Sequence, residues 1–260
     1  MKRKKAIILA AGYATRLYPL TINIPKPLLK VTKDETVIDF IVDDLVRSGS
    51  VDEIIVVTNH KFYGDFAAWA RKHRRRIAVT VVDDGTHSNE DRLGAVGDLS
   101  FVIGQRRIAA DCIVIGGDNL FDRGISHFLK FAMRHRFHPA MALYDLECKK
   151  EATRFGVVQL DRKNRIIGFQ EKPARPKSTL AATCLYYFPW RTLSLLRVYM
   201  QDPKTSKDAP GNYIRWLLAK ECVYGFVLKE GHWYDIGHLD FYKDVVAQYN
   251  KWGIQAKKEC

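Results

Sequence analysis

An α/β architecture, with a mostly parallel sheet between two layers of helices, is what this sequence predicts. Three observations predict it. Short apolar, β-rich runs alternate with helix-like segments through the first 150 residues, the order that builds βαβ units. Apolar residues make up 47% and charged residues 27% of the 260, enough for a substantial core and too apolar for a disordered chain. Two glycine-containing turns, at 10–17 and 116–119, each come directly after an apolar run, which puts both at the carboxyl edge of such a sheet, where ligands bind. The expected fold is a Rossmann-like three-layer sandwich, one domain over residues 1–260, with a first half at 1–150 and a smaller, β-rich second half at 151–260.

In order along the chain, strands are expected at 6–10, 53–58, 77–82, 112–116 and 140–146. Helices are expected near 37–48, 63–74, 94–105 and 124–135. After about residue 150 the pattern changes. Residues 156–160 and 165–171 flank Asp161-Arg162-Lys163-Asn164, a hairpin signal. A strand is expected next at 179–188, then helices at 189–200 and 211–220, a strand at 223–229 and a closing helix at 239–251. No Pro/Gly/Ser-rich linker and no internal repeat separates the halves, so the second is read as continuing the same sheet.

Charge narrows the partners. Lys and Arg number 42 against 29 Asp and Glu, a net charge of +13, which suits nucleotides, sugar phosphates or nucleic acid. The densest run, Arg71-Lys72-His73-Arg74-Arg75-Arg76, falls at the end of an expected helix, where cations complement the macrodipole. It has no interleaved aromatics and no nucleic-acid module around it, so nucleic acid is not the expected partner. No apolar run is long enough to span a bilayer, and the basic N-terminus leads into too short an apolar stretch for a signal sequence; a cytoplasmic location is expected. The five cysteines are scattered without a C-x-x-C spacing, against both zinc and a disulfide framework. Homo-oligomerisation stays open.

The most informative block is the first strand together with the turn after it. Leu9-Ala10-Ala11-Gly12-Tyr13-Ala14-Thr15-Arg16-Leu17 is a turn of small residues ending in a cation, and Pro25-Lys26-Pro27-Leu28-Leu29 comes soon after. Small residues let backbone N–H groups approach a polyphosphate, and Arg16 and Lys26 supply charge for its oxygens. Neither the P-loop nor the dinucleotide glycine pattern is present here. A second block, Ile113-Val114-Ile115-Gly116-Gly117-Asp118-Asn119, ends an apolar strand in a carboxylate. Taken alone, Asp118 suits either Mg²⁺ or the cap of a helix beyond it.

The stretch from Leu9 to Thr21, with 25–29, resembles the opening signature of the sugar-1-phosphate nucleotidylyltransferases, and the resemblance runs from Lys5 to about Tyr249. It implies an enzyme that joins an NTP to a sugar 1-phosphate, releasing pyrophosphate, with Mg²⁺ as cofactor. The resemblance puts the metal on Asp118 and on the Asp after a Trp near the C-terminal end, which is Asp235 in Gly231-His232-Trp233-Tyr234-Asp235. The nucleotide is expected on Leu9, Ala11, Gly12, Tyr13, Ala14, Thr15, Asn89, Gly94 and Asp118. Arg16, Lys26 and Lys172 are the expected catalytic cations. Glu171-Lys172-Pro173 and Arg154-Phe155-Gly156-Val157 match family segments that hold the sugar phosphate, which implies roles there for Gly156, Glu171, Lys172 and, in the next strand, Thr183. Gly94 is expected to let the base approach the backbone. dTTP or UTP is the expected nucleotide, with Asn89 standing where those enzymes commonly present Gln. Ala14 replaces a common Gly, acceptable if its φ stays negative. Ala182-Thr183-Cys184-Leu185-Tyr186 departs from the usual N-A-G segment and implies a differently shaped sugar pocket. Relatives with an added β-helix or C-terminal extension are bigger, so the chain reads as a bare catalytic core. Two alternatives remain: a cytidylyltransferase acting on a non-sugar phosphate, and a non-catalytic binding or regulatory homologue.

Overall fold

The structure, a computed structural model, describes residues 4–237 and 239–256. Lys4–Leu9 forms β1, and tight 3-10 turns come next at Thr15–Leu17 and Lys26–Leu28. Then come α1 (Val37–Ser48), β2 (Glu53–Thr58), α2 (Tyr63–His73), β3 (Ala78–Asp83), α3 (Ala95–Gln105), β4 (Asp111–Gly116), β5 (Asn119–Phe121), α4 (Ser126–Arg134) and β6 (Ala140–Asp145). The second half holds α5 (Lys149–Ala152), β7 (Gly156–Leu160), β8 (Ile166–Glu171), β9 (Leu180–Phe188), α6 (Trp190–Gln201), α7 (Pro210–Leu217), β10 (Tyr224–Val227), β11 (Trp233–Asp235) and α8 (Leu239–Ala256).

The main sheet runs β10-β6-β9-β4-β1-β2-β3, with the β7–β8 hairpin attached through β9. Strands β4, β1, β2 and β3 are parallel neighbours. β9 is antiparallel to both β4 and β6, so the sheet is mixed but mostly parallel. Alternation along each strand divides the core in two. Ala6 and Ile8 pack with α1, α2 and α4 on one face; Ile7 packs with α3, α6 and α7 on the other. This is the three-layer arrangement that the alternating runs predict. A third, smaller cluster joins Leu17 and Leu29 of the turns after β1 to Leu120, Ile236 and Val245, so the first loop, the last strand and the last helix meet.

One carboxylate ties α1 to α2. Asp39 accepts from the Thr36 backbone N–H at 2.6 Å and its hydroxyl at 2.7 Å, a capping box that starts α1. It also accepts from Trp69 Nε1 at 2.8 Å and faces His73 Nε2 at 2.9 Å. His73 and Arg76, which pairs with Asp43 at 2.5 Å, give two members of the basic run structural partners.

Two short strands were beyond the reach of periodicity. β5 and β11 pair antiparallel, Trp233 opposite Phe121 and Asp235 opposite Asn119. Three residues are too few to show an alternation.

Candidate active site

Parallel strands end together, so β4, β1 and β3 deliver the turns at 116–119, 10–17 and 84–95 to one edge. These turns, with Pro27, Cys184 and Asp208, line a cleft of about 470 Å³. Its lining includes Leu9, Ala11, Gly12, Tyr13, Ala14, Thr15, Arg16, Lys26, Asn89, Gly94 and Asp118, every residue expected to bind nucleotide and two of the expected catalytic cations.

The first turn is an amide cradle. Leu9 O accepts from Gly117 N at 2.9 Å, Ala10 N donates to Val57 O at 2.9 Å, and the buried Asn59 side chain donates to Ala11 O at 3.0 Å. These bonds hold the carbonyls down. The backbone N–H groups of Gly12, Tyr13, Ala14 and Thr15 donate to no backbone or side-chain acceptor among the described residues. Ala14 has φ +53°, not the negative value expected for it; its carbonyl accepts from the Thr21 hydroxyl at 2.8 Å. The left-handed turn presents successive N–H groups inward, an anion-binding concavity.

Packing brings Lys26 to Asp118. Pro27 lies against Gly117, where a Cβ would meet Pro27 Cγ at 2.8 Å, and Lys26 Nζ then reaches Asp118 Oδ2 at 3.2 Å. Asp118 Oδ1 accepts from Asn119 Nδ2 at 3.0 Å, and Asn119 Oδ1 in turn accepts from Trp233 Nε1 at 2.7 Å. The β5–β11 ladder makes this possible and sets Asp235 beside Asp118; Ile236 N donates to Asp118 O at 3.0 Å. Burial and the nearby Asp118 push the Asp235 carboxyl well above its ordinary range, while Lys26, Arg154 and Arg16 pull it back. Two carboxyls pressed together in a partly enclosed place are relieved by a proton on one of them or by a cation beside them. No cluster of three or more His, Cys, Asp or Glu suited to a metal occurs among the described residues. A pair of carboxylates with room for phosphate oxygens and water is what Mg²⁺ takes, and does not suit a fully protein-ligated zinc.

The expected sugar-phosphate residues lie beside the cleft, not in its lining. Gly156 pairs with Glu171 across the hairpin, and the Glu171 carboxylate sits against both Gly156 and Gly211, where a Cβ would meet it at 3.2 and 2.9 Å. Burial raises the Glu171 carboxyl, offset by Lys172 and Arg215. Lys172 is exposed at the hairpin end, with φ +42°. Thr183 needs correction. It is fully buried and its hydroxyl donates to Ala142 O at 3.1 Å; Cys184, with φ +40°, lines the cleft in its place. Burial, Asp118 and Asp235 push the Cys184 thiol upward, so it stays neutral. Gly94 lines the cleft and carries a second duty. A Cβ there would meet Lys207 O at 2.6 Å, and Ala95 N and Val96 N donate to Asp208 O and Lys207 O. Its φ of +78° serves this close backbone crossing, not only a ligand. Asp84 and Arg92, in segments that the resemblance places where the family reads the base, and Asp208, at an expected helix start, also line the cleft; Asp98 is the cleft residue that sequence reasoning passed over.

A family model described as nucleotidyl transferase matches residues 5–251. The chain belongs to the nucleotidyl transferase family. It is 31% identical over 257 residues to a glucose-1-phosphate adenylyltransferase of Geobacillus stearothermophilus, covering 91% of this chain and 64% of that protein. It is 31% identical over 262 residues to the enzyme of the same name from Thermosipho africanus, covering 93% and 60%. The chain therefore spans under two thirds of the length of these curated relatives. In fold it is similar to a Bacillus anthracis structure described as a glucose-1-phosphate thymidylyltransferase in complex with a sucrose, with a TM-score of 0.80, 23% identity and 94% of each chain covered. No helix among the described residues is long and apolar enough to cross a membrane.

Proposed function

We propose that this nucleotidyl transferase joins an NTP to a sugar 1-phosphate, giving an NDP-sugar and pyrophosphate. One observation carries the reading: the amide cradle, Lys26 and the Asp118–Asp235 pair, drawn from both ends of the chain, converge at one cleft edge. The sugar phosphate oxygen attacks the α-phosphorus, and pyrophosphate leaves. No general base is needed, because a phosphate monoester with a second pKa of about 6 is already ionised near neutrality. The free N–H groups of Gly12 to Thr15 bind the triphosphate, and Arg16 and Lys26 neutralise charge growing on the leaving group. Lys172, at the hairpin end, holds the attacking phosphate, and Glu171 accepts from a sugar hydroxyl. Asp118 and Asp235 would hold Mg²⁺, which when bound would screen the phosphates from one another. Catalysis is then positioning and electrostatics.

The curated relatives are named for adenylyl transfer and the structural relative for thymidylyl transfer, so they share a reaction class and not a base. The expected dTTP or UTP rests on the resemblance to thymidylyl and uridylyl enzymes, from whose loop Gln the chain departs at Asn89. Cys184 in the cleft favours one second reading, nucleotidyl transfer to a phosphate other than a sugar 1-phosphate. Measuring pyrophosphate release with Mg²⁺ over five NTPs, a panel of sugar 1-phosphates and a panel of phospho-alcohols tests both. Release with a sugar 1-phosphate is expected; release only with phospho-alcohols selects the second reading, and release with none removes both.

A further inference from the structure

The proposed reaction uses only three cations, Arg16, Lys26 and Lys172, of a chain whose net charge is +13. Part of the surplus gathers at the amino edge of the sheet, opposite the cleft. Helices α2, α3 and α4 run back against the parallel strands, so their last turns emerge at that edge. Arg74 and Arg75 lie between α2 and β3, Arg107 between α3 and β4, and Arg136 between α4 and β6. All four are exposed. Their neighbours Arg76 and Arg106 pair with Asp43 and Glu53, but these four form no salt bridge among the described residues. Arg107 has φ +47°, just past the cap of α3, where glycine is the usual occupant. A cationic side chain is kept there at a backbone cost.

Two aromatic rings stand on the same edge. Ala140 of β6 pairs with Tyr187 of β9, and Phe137 and Trp190 each overhang that pair by three residues. Arg191 Nε donates to Phe137 O at 2.9 Å, and Trp190 N donates to Asp111 Oδ1 at 2.9 Å, which ties the two turns to each other and to β4. The rings are nevertheless 63% and 40% exposed. The Arg136 guanidinium lies 4.7 Å from the Phe137 ring centroid. From β6 to β3 the edge spans five strand intervals, about 24 Å.

Unpaired like charges repel unless an anionic surface faces them. A nucleic-acid strand would want cations and rings to alternate along one track. Here the rings are grouped and the cations spread along the edge, the arrangement of an interfacial contact: rings enter the headgroup layer and guanidinium groups meet lipid phosphates. We propose that the amino edge of the sheet docks the protein on an anionic phospholipid bilayer, with Phe137 and Trp190 as the inserted rings and Arg74, Arg75, Arg107 and Arg136 as the phosphate contacts. The six residues of β1 separate this edge from the cleft by about 20 Å, so the cleft stays open to water while the protein is docked.

The test is sedimentation of the full chain with vesicles of phosphatidylcholine alone or with about 30% phosphatidylglycerol. Binding to the anionic vesicles is expected, at least about tenfold tighter than to the neutral ones, and is lost as salt rises from about 0.1 to 0.5 M. Arg74→Gln/Arg75→Gln and Phe137→Ser/Trp190→Ser are each expected to weaken it about tenfold with a native thermal melt. Lys33→Gln/Lys61→Gln, the same charge change ahead of α1 and α2 on the cleft side, leaves it within about twofold. Trp190→Phe keeps binding and abolishes the blue shift of tryptophan emission that the vesicles cause. No binding to anionic vesicles, an equal loss in the Lys33→Gln/Lys61→Gln variant, unchanged binding in the aromatic variant, or a blue shift that survives Trp190→Phe overturns the inference. So does binding of single-stranded DNA without vesicle binding, which makes the edge a nucleic-acid surface. Self-association that Phe137→Ser/Trp190→Ser abolishes, again without vesicle binding, overturns it as a contact between copies. Pyrophosphate release is unchanged in all these variants, so the inference stands or falls apart from the proposed function.

Discussion

Asp118 is gripped from two sides, by Lys26 at 3.2 Å and by Asn119 at 3.0 Å, so it is positioned before any ligand arrives. Asp118→Asn and Asp235→Asn keep the shape and remove the charge that, under the proposed function, would hold a divalent ion. Each is expected to cut turnover by about 10²-fold or more, with the thermal melt preserved; unchanged turnover in either removes the metal pair. Arg16→Ala is expected to slow turnover by roughly 10²-fold, measured at saturating NTP. These residues were legible because their motifs carry them at fixed spacing. Asp98 was not, since an acidic residue without a motif reads as surface until the fold buries it. Thr183 was misplaced for a local reason. The register of β6 against β9 shifts between Met141 and Leu143, and Cys184 adopts a left-handed φ; alternation fails where such irregularities occur.

At the scale of elements, the long strands and helices match the sequence pattern within a few residues, because each carries its apolar period over six or more positions. The exception, the three-residue β5–β11 ladder, is what joins the site. Trp233 is its fulcrum: its Nε1–H holds Asn119, which holds Asp118. Trp233→Phe keeps the buried ring and removes that donor. The Mg²⁺ concentration for half-maximal activity is expected to rise about 10- to 100-fold, with little change in NTP affinity measured without metal. Gly94 joins a different pair of elements, the start of α3 and the segment at 207–208. Gly94→Ala puts a methyl 2.6 Å from Lys207 O at φ +78°, and a loss of about 2 kcal/mol or more is expected from denaturant unfolding.

Across the whole molecule, a half-buried carboxyl and a buried one give stability opposite pH dependences. Burial pushes Asp39 up, but hydrogen bonds from Thr36 and Trp69 and the charge of His73 outweigh it and hold it low. Its contribution is present above the unfolded value of about 3.9 and is lost as pH falls through the folded one. Asp39→Asn is expected to cost about 1–2 kcal/mol at pH 7, a difference that shrinks in melts below about pH 4. Asp98 runs the other way. Burial and Asp84 push it up to about 8, so its proton favours folding at low pH, and that support is lost as pH rises from the unfolded value of about 3.9 to 8. Asp98→Asn is expected to raise Tm relative to the parent at pH 9 and to change it little below about pH 4; no gain at pH 9 counts against a buried, protonated Asp98. The topology has a last consequence. Both sheet neighbours of β6, namely β9 and β10, come later in the chain. On the ribosome, the nascent chain can complete β1 to β4 while Ala140–Asp145, almost wholly apolar, waits unpaired until residue 188 has left the exit tunnel. That interval is when this protein is most exposed to aggregation.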